Sequence, residues 1–293
     1  MSLPREDTST GAQKIGLCVG KVFRAPLAEV IPAAAQLGFD AVSPVWSADG
    51  TLPETVDLAR RNGLFVQSLH APYKNTHALW SRDPDAAGLA LAEMRRALGD
   101  CAALGIPMAV FHCVSGFDFS GYCPETGLDS FSRLAEEAAR LGIRLALENL
   151  QGEQYLRILL THFRDAPHVG FCWDSGHARC YCPSVDLLAQ FGDRLLLTHL
   201  NSNLGITAAD GAISARDDLH YLPFDGVIDW TQPLRQLRAA RRQEILNFEV
   251  KQLCKDYQPQ NAAYAAMSFA DYLAEAYRQA RLLADLYAAE TAL

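Results

Sequence analysis

Short apolar runs alternate with longer amphipathic segments along most of this chain. The runs have the length and the Val, Leu, Ile and Phe content of buried β-strands, and the segments between them repeat their apolar residues with helical spacing. The predicted strands are residues 15–19, 39–44, 64–70, 108–113, 143–149, 169–174, 195–201 and 244–250. The predicted helices lie near residues 26–37, 53–62, 84–104, 126–141, 153–164, 184–192, 230–241 and 266–289. This alternation predicts a parallel sheet whose strands are connected by helices.

Four predicted joints between a helix and the next strand contain a glycine. The joints read LGFD (37–40), RNGLF (61–65), LGIP (104–107) and LGIR (141–144). Glycine at such a place suits a left-handed helix C-cap. Because these joints enter the strands, we expect the functional side chains at the opposite, carboxyl ends of the strands.

The length of the chain matches one barrel. It has 293 residues, of which 49% are hydrophobic, and a TIM barrel typically needs about 250 residues. We therefore predict a single (β/α)8 TIM barrel over residues 15–293, which is the catalytic domain, after a flexible N-terminal tail of residues 1–14. The tail lacks the apolar core of a signal peptide, and no run reaches the ~20 apolar residues of a membrane span.

The net charge and the cysteine content indicate which kinds of partner and which cell compartment the sequence favours. The formal net charge is −8 and the pI is about 5.5, and no Lys/Arg cluster marks a surface for phosphates, so we expect neither a nucleic acid nor a membrane as partner. Eight cysteines are scattered along the chain, which at this length favours reduced thiols and a cytoplasmic location. The sequence leaves a homodimer open.

Nine residues with metal-binding side chains end or closely follow the predicted strands. They are His70, His112, Glu148, Asp174, His177, His199, Asp218, His220 and Glu249. In a parallel barrel, side chains at the carboxyl ends of different strands meet at one mouth. Any one of them could simply cap a helix or form a hydrogen bond in a loop. Five of the eight histidines of the chain belong to this set, however. The pattern as a whole favours a metalloenzyme.

The residues at the ends of the last four predicted strands suggest the chemistry. Glu148, Asp174, His199 and Glu249 provide three carboxylates and one imidazole, a set that suits Mn²⁺, Mg²⁺ or Co²⁺ at least as well as Zn²⁺. One divalent ion held by them would have positions left for two substrate oxygens and would acidify the C–H bond between a ketone and a hydroxyl. The carboxylates could then remove and return the proton.

The other five residues form two groups in the sequence. His70 and His112 end neighbouring strands, whereas His177, Asp218 and His220 form a set of two histidines and one carboxylate. Either group could hold a further metal ion, such as additional zinc, or could bind a polyol or a phosphate.

Seven motifs resemble one known family. They are SLHAPY (68–73), VFHC (110–113), LALENL (145–150), FCWDSGHA (171–178), THLN (198–201), DDLHYLPFDGVIDW (217–230) and NFEV (247–250). Their order and spacing are similar to those of the xylose-isomerase-like TIM-barrel superfamily, which includes sugar-phosphate isomerases and epimerases and the zinc endonucleases of the endonuclease IV type. The resemblance covers residues from about 15 to 250.

This resemblance implies roles for individual residues. It implies that Glu148, Asp174, His199 and Glu249 bind the catalytic divalent ion, and that Glu148 and Glu249 also transfer the proton, as the equivalent residues do in ketose epimerases. His177 matches a histidine that touches the substrate in the sugar enzymes. We therefore expect a metal-dependent isomerase or epimerase of a sugar, a sugar phosphate or a related polyol.

Two alternatives stay open. The first is a zinc-dependent apurinic (AP) endonuclease, a phosphodiesterase, because all nine ligand types of a three-zinc site are present and Tyr73 fits that pattern too. Ser202, where the nuclease has an aspartate, and the LPFDGVIDW ending favour the sugar enzymes. Gly205 stands where the ketose 3-epimerases carry an arginine, which argues against a close relationship with them. The second alternative is a non-catalytic barrel that binds a polyol.

Overall fold

The protein is a parallel barrel in a computed structural model that describes residues 12–253 and 259–289. The strands are β1 (Lys14–Val19), β2 (Ala41–Pro44), β3 (Phe65–Val66), β4 (Leu69–His70), β5 (Met108–His112), β6 (Arg144–Glu148), β7 (Val169–Asp174), β8 (Leu195–His199) and β9 (Ile245–Phe248). All of the strand pairings are parallel. The predicted TIM-barrel fold class is confirmed.

The strands form two sheets that meet edge to edge. One has the order β3-β2-β1-β9, and the other has the order β4-β5-β6-β7-β8. A parallel bridge between Val45 and His70 joins the sheets on one side. On the other side, the Leu200 amide donates to the Asn247 carbonyl oxygen at 2.8 Å, and the Glu249 amide donates to the Leu200 carbonyl oxygen at 3.1 Å. These contacts close the barrel at the end where the candidate ligands lie.

The predicted third strand, residues 64–70, is two short strands in the structure. Its first half pairs with β2 (Ala41 with Phe65), whereas its second half pairs with β5 (Leu69 with Ala109). The change of neighbour falls at Gln67 and Ser68. An apolar run shows that a segment is extended, but it carries no information about which neighbour each half will bond.

Ten helices surround the barrel in the described part of the chain. They are α1 (Leu27–Leu37), α2 (Leu52–Arg61), α3 (Pro84–Ala103), α4 (Pro124–Leu141), α5 (Glu153–His162), α6 (Ser175–Cys180), α7 (Leu187–Phe191), α8 (Thr231–Ala239), α9 (Pro259–Ala266) and α10 (Phe269–Ala289). The predicted helix at 266–289 is α10, with α9 before it. We did not predict α6, which is too short for helical periodicity to be visible. Most of the predicted tail of residues 1–14 lies outside the described residues.

The glycine joints adopt the expected conformation. Gly38, Gly63, Gly105 and Gly142 all have positive φ, between 62° and 106°. Gly38 and Gly142 are the left-handed C-caps of α1 and α4. A side chain is disfavoured at such φ values, so these glycines end the helices and turn the chain into the next strand.

Small and apolar side chains fill the barrel below the strand ends. In a strand, residues i and i−2 point to the same face, so Val110, Ala146, Cys172 and Leu197 lie one layer below the residues that end β5 to β8. All four are completely buried and belong to one apolar cluster. This layer supports the polar side chains above it. Within the described residues, no helix combines the length and the apolar content needed to span a bilayer.

Candidate metal centre

The structure brings all nine candidate side chains to the carboxyl end of the barrel. His70, His112, Glu148, Asp174 and His199 are the last residues of β4, β5, β6, β7 and β8, Glu249 follows β9 directly, His177 lies in α6, and Asp218 and His220 lie in the loop between β8 and α8. That loop has no helix or strand of its own, apart from an antiparallel bridge between Ser202 and Tyr221. The histidines His77, His162 and His168 lie elsewhere and bond Ser115, Ser132 and the Ala135 carbonyl.

The central group is Glu148, Asp174, His199 and Glu249. One ligand atom from each of them lies within 4.8 Å of those of the other three. His199 Nδ1 is 3.1 Å from Glu148 Oε1 and 2.8 Å from Glu249 Oε2, so the two carboxylates flank one imidazole nitrogen. Glu148, Asp174 and His199 are completely buried, and the Glu249 side chain is 14% exposed. Ligand bonds of about 2.0–2.6 Å to one ion fit this spacing.

A second group joins His70 and His112 to Glu148. The Nε2 atoms of the two histidines are 3.1 Å apart, and each is 3.4 Å from Glu148 Oε2. His70 Nδ1 is 2.8 Å from the Ala71 carbonyl oxygen, so this nitrogen carries the proton and donates it. In neutral His70 the Nε2 lone pair therefore points toward the group, as a metal ligand would.

The third group is His177, Asp218 and His220. Asp218 Oδ1 is 3.3 Å from His177 Nε2 and 2.8 Å from His220 Nε2. His177 Nδ1 donates to the Asn149 carbonyl oxygen, and His220 Nδ1 donates to the Glu249 carbonyl oxygen, both at 3.0 Å. These two histidines and His70 thus share one arrangement, in which Nδ1–H bonds a backbone carbonyl and Nε2 faces the cluster. Metal-binding histidines are usually oriented in this way.

His220 holds the loop against the last strand. It is the only non-glycine residue with positive φ (49°) among the described residues. Its carbonyl oxygen accepts a hydrogen bond from the Lys251 amide at 3.0 Å, and its ring bonds the carbonyl of Glu249. Left-handed backbone at a histidine is uncommon and costs energy. Here these two bonds hold the strained residue in place and bring Asp218 to the site.

Two asparagines orient the Asp174 carboxylate. Asn201 Nδ2 donates to Asp174 Oδ2 at 2.8 Å. The Asn149 amide group forms two 2.8 Å bonds with the Asp174 backbone, one to its N–H and one to its carbonyl. Asp174 Oδ1 caps α6 by accepting the His177 amide at 2.7 Å. Both asparagines are buried. In the sequence they could equally be turn caps, and only their contacts show that they support the centre.

Burial and neighbouring charges shift the pKa values of the carboxylates in opposite directions. Burial raises the pKa of Asp174. Burial also opposes ionisation of Glu148 and Glu249, but the His199 imidazole and other nearby histidines outweigh it and hold both pKa values well below their usual range. The pKa of Asp218 is likewise well below its usual value, because His220 and other cations outweigh burial. Glu148, Glu249 and Asp218 are therefore ionised at neutral pH.

The pKa values of three histidines are also shifted in different directions. Burial lowers the pKa of His112 to about 4, despite the nearby Glu148. Burial would lower the pKa of His177 and His199 too. The carboxylates of Asp174, Asp218 and Glu148 instead raise the pKa of His177 well above its usual range. Cys172, Cys18, Glu148 and Glu249 do the same for the pKa of His199. In the absence of an ion, these two imidazoles hold protons that compensate the carboxylates. A bound divalent ion would balance the negative charge of the carboxylates in place of these protons.

The residues present fit a bound cation. Glu148 Oε2 and Glu249 Oε2 are buried and have no well-aligned hydrogen bond, although an unpaired buried acceptor is costly. Buried carboxylate oxygens that converge on one point without a well-aligned donor are what a metal ion satisfies. The centre can therefore hold a divalent ion through three carboxylates and one histidine, with the histidine groups on either side as places for further ligands.

A cavity of about 360 Å³ opens above the centre. His70, His112, His177, Asp218, His220 and Glu249 line its floor, and Lys21, Trp46, Tyr73 and Lys251 are among the residues of its walls. Trp46 is fixed by its indole N–H, which donates to Asp100 Oδ2 at 2.7 Å, and by the Arg96 guanidinium, 5.5 Å from its ring centre. Lys251 is not among the site residues predicted from the sequence, where its position two residues after Glu249 is the feature that points to it.

A larger cavity of about 520 Å³ lies elsewhere, lined by α6, α7, the start of α8 and the segments that precede α7 and α8. None of the nine candidate residues is among its lining residues. The smaller cavity has the convergent ionisable groups that are typical of a site of chemistry, so it is the candidate functional site.

The chain belongs to the family described as the xylose isomerase-like TIM barrel. The model of this family matches residues 31–272. The family expected from the sequence motifs is therefore confirmed.

One curated relative and several solved structures are similar to the chain. The relative is the uncharacterized protein y4fM of Sinorhizobium fredii (strain NBRC 101917 / NGR234), which is 32% identical over 186 residues. That match covers 59% of this chain and 55% of y4fM, so the chain spans only about half the length of its relative.

The solved structures share the fold at low sequence identity. The IOLI protein, solved with a bound zinc atom, is 16% identical, with a TM-score of 0.71 over 92% of this chain and 98% of its own. An L-ribulose 3-epimerase is 13% identical, with a TM-score of 0.69 over 95% of this chain and 96% of its own. At such identities the likeness shows the fold alone.

Proposed function

We propose that this protein is a metal-dependent isomerase or epimerase of a sugar, a sugar phosphate or a related polyol. The observation that carries the proposal is the flanking of His199 Nδ1 by Glu148 and Glu249 within a buried group that also includes Asp174. This group would hold one divalent ion, Mn²⁺, Mg²⁺, Co²⁺ or Zn²⁺, and two of the same carboxylates are placed to move a proton. Two of the similar structures, an L-ribulose 3-epimerase and a protein solved with a bound zinc atom, support the same class.

A bound divalent ion would polarise the substrate carbonyl and acidify the adjacent C–H bond. The remaining chemistry belongs to the side chains. Because Glu148 and Glu249 are ionised at neutral pH, either one can accept the proton from the carbon next to the carbonyl. The electron pair of the broken C–H bond then forms a C=C bond, and the carbonyl oxygen takes up the negative charge.

Return of the proton completes the reaction. In an isomerase, the carboxylic acid formed in the first step returns its proton to the neighbouring carbon, and the hydroxyl proton of that carbon passes to the former carbonyl oxygen. In an epimerase, the second carboxylate first takes a proton from solvent and delivers it to the opposite face of the same carbon, while the first carboxylic acid releases its proton to solvent. The histidines around the centre hold the substrate hydroxyl or phosphate groups in this proposal. Trp46 forms an apolar wall of the cavity, and the buried position of the carboxylates keeps bulk water away from the reacting carbon.

The test is solvent-deuterium exchange into ketoses and ketose phosphates. The wild type in ²H₂O should incorporate deuterium next to the carbonyl of its substrate, and Glu148→Gln and Glu249→Gln should both abolish this exchange. Glu136→Gln, at an exposed position of α4, is the matched control and should exchange at the wild-type rate. Exchange at the wild-type rate in either site variant would show that these carboxylates do not carry the proton.

A second candidate is the zinc-dependent AP endonuclease. It is favoured by one observation, the convergence of three ligand groups on one mouth, since a phosphodiesterase gains from two or three ions that hold the attacking and leaving oxygens. Three zinc ions within about 5 Å of one another, together with cleavage of an abasic duplex, would establish this function in place of the isomerase. A non-catalytic polyol-binding barrel would instead bind sugars without exchanging their protons.

A further inference from the structure

Lys251 lines the cavity at the third ligand group, and after His220 its charge is among those that hold the pKa of the buried Asp218 below its usual range. It follows Glu249 by two residues in the extended chain after β9, so its side chain points to the same face as that of Glu249. Val250, between them, is buried in the apolar core. Lys251 lines the same cavity as Asp218, His220 and Glu249. Its amide donates to the carbonyl of His220 at 3.0 Å, which fixes its backbone against the loop that carries Asp218.

The charge of Lys251 matters to any ion bound here. A lysine ammonium is positive at neutral pH, and two positive charges a few ångströms apart repel strongly where water is excluded. Asp218 is the only carboxylate in the group with His177 and His220. One cation, either an ammonium or a metal ion, is enough to compensate it.

We infer that Lys251 takes the place of a metal ion beside Asp218, and so keeps the group of His177, Asp218 and His220 available for substrate oxygens. The inference rests on the proposed function, because it explains how a site with ligands for several ions can work with the single ion of an isomerase. In the central group, His199 and three carboxylates attract an ion more strongly than Lys251 repels it.

The test counts metal ions with Zn²⁺ alone as the probe. Wild type, Lys251→Met and Lys251→Arg are incubated with excess Zn²⁺ at one pH, desalted, and measured by native mass spectrometry and elemental analysis. Lys251→Met should retain one more zinc than the wild type, with at least tenfold tighter binding of that extra ion. Lys251→Arg keeps the charge and should match the wild type. The double variant Lys251→Met/Asp218→Asn should lose the extra ion again.

Lys21→Met is the matched control, because Lys21 lines the same cavity but is 95% exposed and lies near Asp49. It should leave the zinc count unchanged. An equal count in Lys251→Met and wild type overturns the inference while leaving the proposed function intact. The inference is also overturned if the wild type binds an ion that is lost in the Asp218→Asn variant. If Lys251→Met does not fold, Lys251→Gln replaces it. A wild type that binds no ion in the central group overturns the proposed function itself.

Discussion

Replacing Asn201 with alanine should weaken the binding of a divalent ion without unfolding the barrel. The Asn201 side chain donates to Asp174 Oδ2 at 2.8 Å in a buried environment. Without this donor the carboxylate keeps only the bond from the His177 amide to its other oxygen. It then loses its orientation toward the centre, and burial favours its protonated form still more. Both effects oppose an ion.

The magnitude follows from the one bond removed. A hydrogen bond to a charged group contributes about 1.5–3 kcal/mol, which corresponds to a roughly 10- to 150-fold loss of affinity. Losses of about 10- to 100-fold are typical for residues that orient a metal ligand. Isothermal titration of Mn²⁺ into both proteins measures the change. Asn62→Ala is the control, because Asn62 also donates a side-chain bond, to the Leu58 carbonyl at 2.9 Å, but at the end of α2. An affinity in Asn201→Ala within about twofold of wild type would refute the reasoning.

Three further predictions concern pH, metal removal and packing. The pKa values of His177 and His199 are raised, so protons should leave these side chains when a divalent ion binds, and the affinity for the ion should increase as pH rises through neutrality. Calorimetric titrations in buffers of different ionisation heat count the released protons. A count of zero would contradict the assignment. Saturation with Mn²⁺ at about 100 times the Kd should add about 2.7 kcal/mol, so the Tm of chelator-treated protein should lie roughly 5–11 °C below that of loaded protein, as a thermal scan would show. Gly127→Ala should cost about 1–3 kcal/mol in denaturant unfolding, because its Cβ would lie 2.0 Å from a carbon of the Trp80 ring, whereas Gly121→Ala, with open space around it, should be neutral.

The fold could be predicted because its information is local. Each strand is a short apolar run, and the glycine joints, such as Gly38 and Gly142, mark the entry end of the strands. Direction and periodicity together place His112, Glu148 and Asp174 at one mouth. The division of the third strand could not be predicted in this way, because the partner of each half is decided by the curvature of the closed barrel.

The candidate site was predictable in composition but not in arrangement. Residue types at strand ends identified the ligand atoms, whereas the state of each ligand depends on contacts between distant segments. His177, for example, presents Nε2 because its Nδ1–H bonds the carbonyl of Asn149, which directly follows β6. Trp80 illustrates the same limit. It is completely buried against Tyr155, and its indole N–H donates to the Cys113 carbonyl oxygen, contacts that its neighbours in the sequence do not show.

The contacts of the nine ligands explain how one ligand set can serve different chemistry. The central group of three carboxylates and His199 requires a cation, because burial alone would favour the neutral form of its acids. The outer groups require only one positive charge for each carboxylate they contain, and that charge can be a metal ion, an imidazolium or an ammonium. We therefore propose that the neighbouring cation decides between proton transfer and phosphodiester cleavage. If Lys251 takes the place of an ion beside Asp218, the outer histidines stay free to hold hydroxyl groups, and removal of the lysine should shift the same barrel toward binding several ions.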